Sequence, residues 1–131
     1  MKKNNLLKTT PQIGESQIDL LRRLSDSVAV SGDEGAVRKI VLEEVKDVAD
    51  ELKIDALGNV LVTRKSRQKN ALRVMVAAHM DEVGFMLVND DGDGLFSFEI
   101  VGGIDNRQLV GKPVLVGKDG VPGIIGAKPI H

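Results

Sequence analysis

Polar and apolar residues alternate along this chain with two different periods, and the change of period organises it. Ile18, Leu21, Leu24 and Val28 recur at helical spacing behind Ser16 and Asp19, the S-x-x-D pattern of a capping box, so a first helix is expected to begin at Ser16. The stretch VSGDEGAVRKIVLEEVKDVADEL repeats that logic, with Ser31 and Glu34 as the capping pair. Its apolar stripe of Val37, Ile40, Val41, Val45, Val48 and Leu52 predicts a second helix reaching Leu52. The period then shortens. LKIDALGNVLVTRK reads as a strand, a turn at Gly58-Asn59 and a second strand with Val60 and Val62 on one face. SRQKN is a polar loop, and the continuous apolar run ALRVMVAA predicts a strand buried on both faces of a sheet.

Beyond residue 80 the composition changes. Ten of the 14 glycines lie there, and no helical stripe follows. Short β-rich runs (VGFMLV, LFSFEIV, KPVLVG and GIIGA) alternate with glycine-containing turns, which predicts a small antiparallel β-domain or barrel. The pattern places a domain boundary near residues 82–85, and a loosely held leader over residues 1–14 that ends in Pro11 and Gly14.

Composition narrows the function classes. With 131 residues and 42% apolar content the chain has the length of one ordinary domain, or of part of something longer. Aromatic residues are only 2%, so the core has to come from Val, Ile, Leu and Ala. The formal charge is −1 with Lys and Arg spread along the chain, so no basic stripe for nucleic acid is expected. The absence of cysteine excludes disulfides, thiolate metal sites and a cysteine nucleophile. The start, MKKNNLLKTTPQ, has no apolar stretch of signal-peptide length, and no run approaches the roughly 18 apolar residues of a membrane span. A soluble, cytoplasmic chain is the expectation.

The candidate chemistry sits in VMVAAHMDEVGF. There His79, Asp81 and Glu82 interrupt an apolar run, and an unpartnered buried charge costs several kcal/mol. On a strand His79 and Asp81 point the same way, and at its carboxyl end both would face the place where open α/β sheets collect ligands. A neutral imidazole is a common metal ligand, and a neighbouring carboxylate fixes its tautomer. H-x-D is a short signal, and spacing alone leaves open a simpler alternative in which His79 is a satisfied strand-end histidine and Asp81 caps the next turn. NDDGDG fits the opening of a calcium loop at Asn89, Asp91, Asp93 and Gly94. The twelfth position is Ile100, however, so a hairpin turn is expected instead. Asp105 and Arg107 read as a solvated turn, and His131 is the last residue of the sequence.

The blocks SGDEGAVRKIV, DALGNVLV, VMVAAHMDEVGFMLV, GLFSFEIVGGIDNRQLVGKPVLV and GIIGAKPIH follow one another in an order and spacing that resembles the amino-terminal part of the M42 metallo-aminopeptidases. These include the glutamyl and tetrahedral aminopeptidases, and some carry an endoglucanase label. The resemblance runs from about residue 16 to the end. It implies an α/β catalytic domain with a central mixed sheet, of which residues 15–83 would be the amino-terminal part. It also implies an inserted β-rich, barrel-like dimerisation domain beginning over residues 84–131. Two divalent metal ions per complete subunit, zinc or cobalt, a peptide substrate and homo-oligomers in which dimers build a dodecamer come with the resemblance. So do the roles of His79 as a metal ligand and of Asp81 as the catalytic-site carboxylate that orients the metal site. Glu82 matches a position with no carried-over role. The family's bridging aspartate, general-base glutamate, other carboxylate ligand and last histidine have no counterpart, so an amino-terminal portion that is inactive alone is implied. Two further classes remain open: a non-catalytic β-domain interaction module, and a glycoside hydrolase, which would need two carboxylates roughly 5–9.5 Å apart.

Overall fold

A computed structural model describes residues 12–127, so nearly all of the expected leader and His131 lie outside the described residues. The chain divides into two compact units, one ending at Glu82 and the other beginning at Val83.

In the first unit, α1 spans Glu15–Ser25 and α2 spans Gly35–Val45; β1 (Glu51–Ile54) and β2 (Val60–Thr63) follow. Neither helix starts on the expected pair. The N-cap of α1 is Gly14, whose backbone is extended and whose N–H donates to Gln17 Oε1 at 2.9 Å. Ser16 therefore lies inside the first turn, where its backbone is already helical and it cannot cap. Glu34 is the N-cap of α2, and its carboxylate turns back to accept the Gly32 N–H at 2.6 Å. Arg23 of α1 forks onto Glu43 and Glu44 of α2, at 2.7 and 3.1 Å.

The second helix is shorter than its stripe predicts. It ends at Val45, whose carbonyl accepts both the Val48 and Ala49 N–H groups at 3.1 Å. Leu52 belongs to β1 and faces Val62 across an antiparallel ladder that also pairs Ile54 with Val60. Pairing with β2 outweighs local helical periodicity here, and Asp47 and Asp50 are unfavourable company for the negative end of a helix. The hairpin turn is where the sequence places it. Asp55 Oδ1 accepts the N–H groups of Leu57 and Asn59, both at 2.9 Å, and Gly58 takes φ +85°. Arg38 of α2 donates through Nε to the Gly58 carbonyl at 2.7 Å and ties the turn to the helix.

ALRVMVAA does not form the expected buried strand. Residues 71–81 carry no regular secondary structure, and Leu72, Val74, Met75 and Val76 are 87, 74, 89 and 91% exposed. A strand buried on both faces needs a ladder on each edge and a layer on each side, and the described residues supply neither. The core is correspondingly thin: the buried apolar side chains among the described residues are Ala29, Val37 and Ile125.

In the second unit, β3 (Gly84–Gly92) and β4 (Leu95–Val101) form a hairpin, a 3₁₀ turn covers Asn106–Gln108, and β5 (Pro113–Val116) pairs with β6 (Val121–Ile124). The two-residue connection Asp93-Gly94 has φ +53° and +76°, the positive values that a type I′ hairpin turn requires at both positions. Register shifts after Leu87 and after Asp90 mark bulges in the β3–β4 ladder. Phe85 and Phe98 pack edge-to-face with centroids 5.0 Å apart. All three sheets are two-stranded and antiparallel, so the expected central mixed sheet is not formed and the second unit does not close into a barrel among the described residues. The elements are those of a mixed α/β chain with short sheets. No helix among the described residues is long and apolar enough to cross a membrane.

Candidate functional site

The segment carrying His79 and Asp81 is held by the loop between α1 and α2. Glu82 donates its backbone N–H to the Ala29 carbonyl at 2.8 Å, and Glu82 Oε1 accepts the Ala29 N–H at 3.2 Å. Val30 and Glu82 form an isolated parallel bridge, and Ala29 is 2% exposed. Directly after the bridge the loop turns: the Asp33 N–H bonds the Val30 carbonyl at 2.8 Å, with Gly32 at φ +94°, a conformation that favours glycine. Ser31, at the head of this turn, donates its hydroxyl to Asp81 Oδ2.

Asp81 is the junction of the cluster. One carboxylate oxygen accepts from Ser31, and the other lies 3.1 Å from His79 Nδ1, which is also 2.9 Å from the Asp81 carbonyl oxygen. The Ser31 hydroxyl, assisted by a backbone N–H and by His79, holds the Asp81 carboxyl below its ordinary range. An ionised carboxylate and a carbonyl only accept, so in the neutral imidazole the proton sits on Nδ1. In that form Nε2 keeps its lone pair, on a ring whose side chain is 85% exposed. That is the tautomer and orientation of a histidine that ligates a metal through Nε2 while a carboxylate steadies its other nitrogen.

The cluster offers one imidazole nitrogen to a ligand. Among the described residues, no three His, Cys, Asp or Glu side chains converge as a group that could hold a metal ion. The other carboxylate-rich stretch is taken up by local structure: Asp91 accepts from Asn89 and Ser97, both at 2.6 Å, and Asp90 accepts the Gly92 N–H at 2.9 Å. Asp105 accepts from the backbone and guanidinium of Arg107 at 2.7–3.1 Å and closes its own 3₁₀ turn. An apolar trough of about 660 Å³ lies between the two hairpins of the second unit, lined by Leu87, Phe96, Phe98, Val114, Val116 and Ile124 among others, and contains no histidine.

Sequence reasoning paired His79 with Asp81, and the structure brings these two together. Ser31 was missed as a member of the cluster. It lies 50 residues from Asp81, and its surroundings read as a helix cap. Only the fold shows the contact.

Comparison with known proteins agrees with the block pattern. The pattern of the M42 glutamyl aminopeptidases matches residues 58–131. The lysyl aminopeptidase of Pyrococcus furiosus is 38% identical over 116 residues, which cover 86% of this chain and 33% of that protein. A Thermotoga maritima structure described as an endoglucanase superposes with a TM-score of 0.74 at 41% identity, over 83% of this chain and 34% of the other. The Pyrococcus horikoshii TET1 peptidase, which can assemble into a tetrahedron or a large octahedral shell, gives a TM-score of 0.69 at 36% identity, over 87% and 34% of the two chains. The chain thus spans about a third of the length of the relatives it matches. With more than half of its residues inside the family pattern, and the His79–Asp81 block among them, this chain belongs to the M42 glutamyl aminopeptidase family.

Proposed function

We propose that this chain is the amino-terminal portion of a dinuclear-metal aminopeptidase, with His79 Nε2 as a ligand to one of two divalent ions, zinc or cobalt. The observation that carries this reading is that two oxygens of Asp81 accept from Nδ1–H, which leaves Nε2 with an exposed lone pair. When bound, such metals lower the pKa of a water and polarise the scissile carbonyl of a peptide. The chain's own residues hold and aim: His79 presents a neutral nitrogen, Asp81 keeps the imidazole proton on Nδ1, and Ala29 and Glu82 fix the segment that carries both. The remaining ligands and the general base would come from outside the described residues, so the 131-residue chain alone is catalytically inert on this reading.

The family pattern is described by glutamyl aminopeptidases and one relative is a lysyl aminopeptidase, so the proposal stops at amino-terminal residues of peptides as the substrate class. Homo-oligomers built from dimers joined through the second unit, up to a dodecamer, belong to the same proposal, supported by the shell-forming TET1 peptidase. The endoglucanase description of one neighbour keeps a glycosidase alternative in view. Turnover of an aminoacyl-anilide rather than a cellulose analogue, abolished by a chelator, separates the two.

In the full-length protein, His79→Ala should lower bound metal by more than about tenfold and remove peptidase activity while the fold persists. Metal analysis and circular dichroism on the purified variant check this. Unchanged metal stoichiometry with normal turnover would remove His79 from the ligand set.

A further inference from the structure

We infer that Ser31 is a positioning residue: its hydroxyl, donated to Asp81 Oδ2, holds the carboxylate rotated so that Oδ1 joins the Asp81 carbonyl as an acceptor for His79 Nδ1–H, and in this way completes the selection of the imidazole tautomer.

A carboxylate on one flexible bond can rotate and offer either oxygen in many directions. Here both oxygens are engaged, one by Ser31 and one by His79, and losing either donor loosens the rotation, since a backbone N–H is then the main remaining partner besides the other side chain. The Ser31 hydroxyl is aimed by backbone on both sides. Before it, Ala29 and Val30 are tied to Glu82, one residue beyond Asp81. After it, the Gly32 N–H bonds Glu34 Oε1, and Glu34 Oε2 accepts from Arg38 at 3.2 Å. The Val30–Asp33 turn closes between these anchors, with Gly32 at a positive φ. Ser31 is thus locked in register with Asp81 by the pairing next to it, although its own side chain is exposed. The sequence S-G at 31–32 serves this geometry: serine supplies a short donor, and glycine lets the chain turn away immediately after it.

The tautomer claim stands on the hydrogen bonds alone. Its consequence for metal affinity rests on the metal-ligand reading above. The chain has two histidines, His79 and His131, so labelling histidine alone with ¹⁵N gives a spectrum with two imidazoles. Long-range ¹H–¹⁵N correlations, or magic-angle-spinning spectra if the chain associates, read the tautomer of each at a pH above 8. The expected result is Nδ1–H for His79 in the wild type and in Ser31→Thr, which keeps the hydroxyl. In Ser31→Ala and Ser31→Gly only the Asp81 carbonyl, 2.9 Å from Nδ1, still holds the proton in place, so a measurable fraction of the Nε2–H form should appear beside Nδ1–H. If both hydroxyl-free variants keep His79 in the Nδ1–H form, the inference is overturned. So is it if Ser31→Thr behaves like Ser31→Ala. In the full-length protein the affinity for zinc should fall about tenfold in Ser31→Ala and recover in Ser31→Thr. If His79→Ala leaves metal binding intact while the tautomer still follows the hydroxyl, the metal reading fails and the positioning role survives.

Discussion

At the scale of single residues, what matters is which atom each polar group meets. Asp81 places its two oxygens on two different donors, and this makes a surface histidine a directed one. Gly58 shows the same economy in the hairpin. It takes φ +85°, its carbonyl accepts from Arg38 Nε, and a Cβ built there would lie 2.4 Å from Arg38 Nη2. Gly58→Ala adds backbone strain and displaces the arginine that joins α2 to the turn. It should destabilise the first unit by more than about 1 kcal/mol. Chemical denaturation followed by circular dichroism reads this directly, and a variant as stable as wild type would mean that Arg38 swings aside without loss. His79 and Asp81 were legible because H-x-D after an apolar run is a local pattern, whereas Ser31 was not. Its local pattern, S-x-x-E, read as a cap, and the turn at Gly32 redirects it.

At the scale of elements, turn chemistry decides more than periodicity does. The hairpin of β1 and β2 is closed by Asp55, whose carboxylate accepts from the Asn59 side chain and from the N–H groups of Asn59 and Leu57. The Asn59 side chain and then its backbone N–H hold the Asp55 carboxyl below its ordinary range. A depressed folded-state pKa stabilises the fold fully above the unfolded value of about 3.9, and that contribution is lost as pH falls through the lower folded value. The turn should therefore be indifferent to pH between about 5 and 8 and lose the support of Asp55 as pH falls below about 4. Asp55→Ala should show that weaker protection at all pH values. Amide exchange at Leu57 and Asn59 across that range is the measurement, and protection unchanged in Asp55→Ala would contradict it. The turn of the β3–β4 hairpin was equally legible, because Asp-Gly between apolar runs specifies a two-residue hairpin turn, whereas the two bulges in its ladder were not. The carboxyl end of α2 was not, since its stripe continues on paper to Leu52 while the ladder with Val62 claims that residue.

At the scale of the whole molecule, the open feature is the run from Leu72 to Val76, four of whose apolar side chains are 74–91% exposed. Its backbone groups have no ladder among the described residues, so it combines apolar side chains with unpaired donors and acceptors. Surfaces of this kind associate. The 131-residue chain should self-associate at tens of micromolar, and Val74→Lys with Val76→Lys should shift it toward monomer. Sedimentation velocity on both proteins tests this, and a wild-type chain that stays monomeric would show that the run is covered by the chain itself. The run also explains why the strongest sequence signal for a buried strand failed. Apolar continuity records that a segment is suited to burial between partners, and the partners are a separate requirement.

What the sequence by itself determined is what neighbouring residues settle among themselves. This covers two helices, two turns with their glycine and aspartate chemistry, the change from helical to β periods after the second helix, and His79 and Asp81 as candidate neighbours. Tertiary structure alone decided where α2 yields to a strand, that the apolar run from Leu72 stays open, and that Ser31 reaches Asp81. The physical reason is range. Backbone dihedral preferences and side-chain caps act over three or four residues and are written in order along the chain. Ladders, burial and a hydroxyl meeting a carboxylate 50 residues away depend on atoms that only folding brings together.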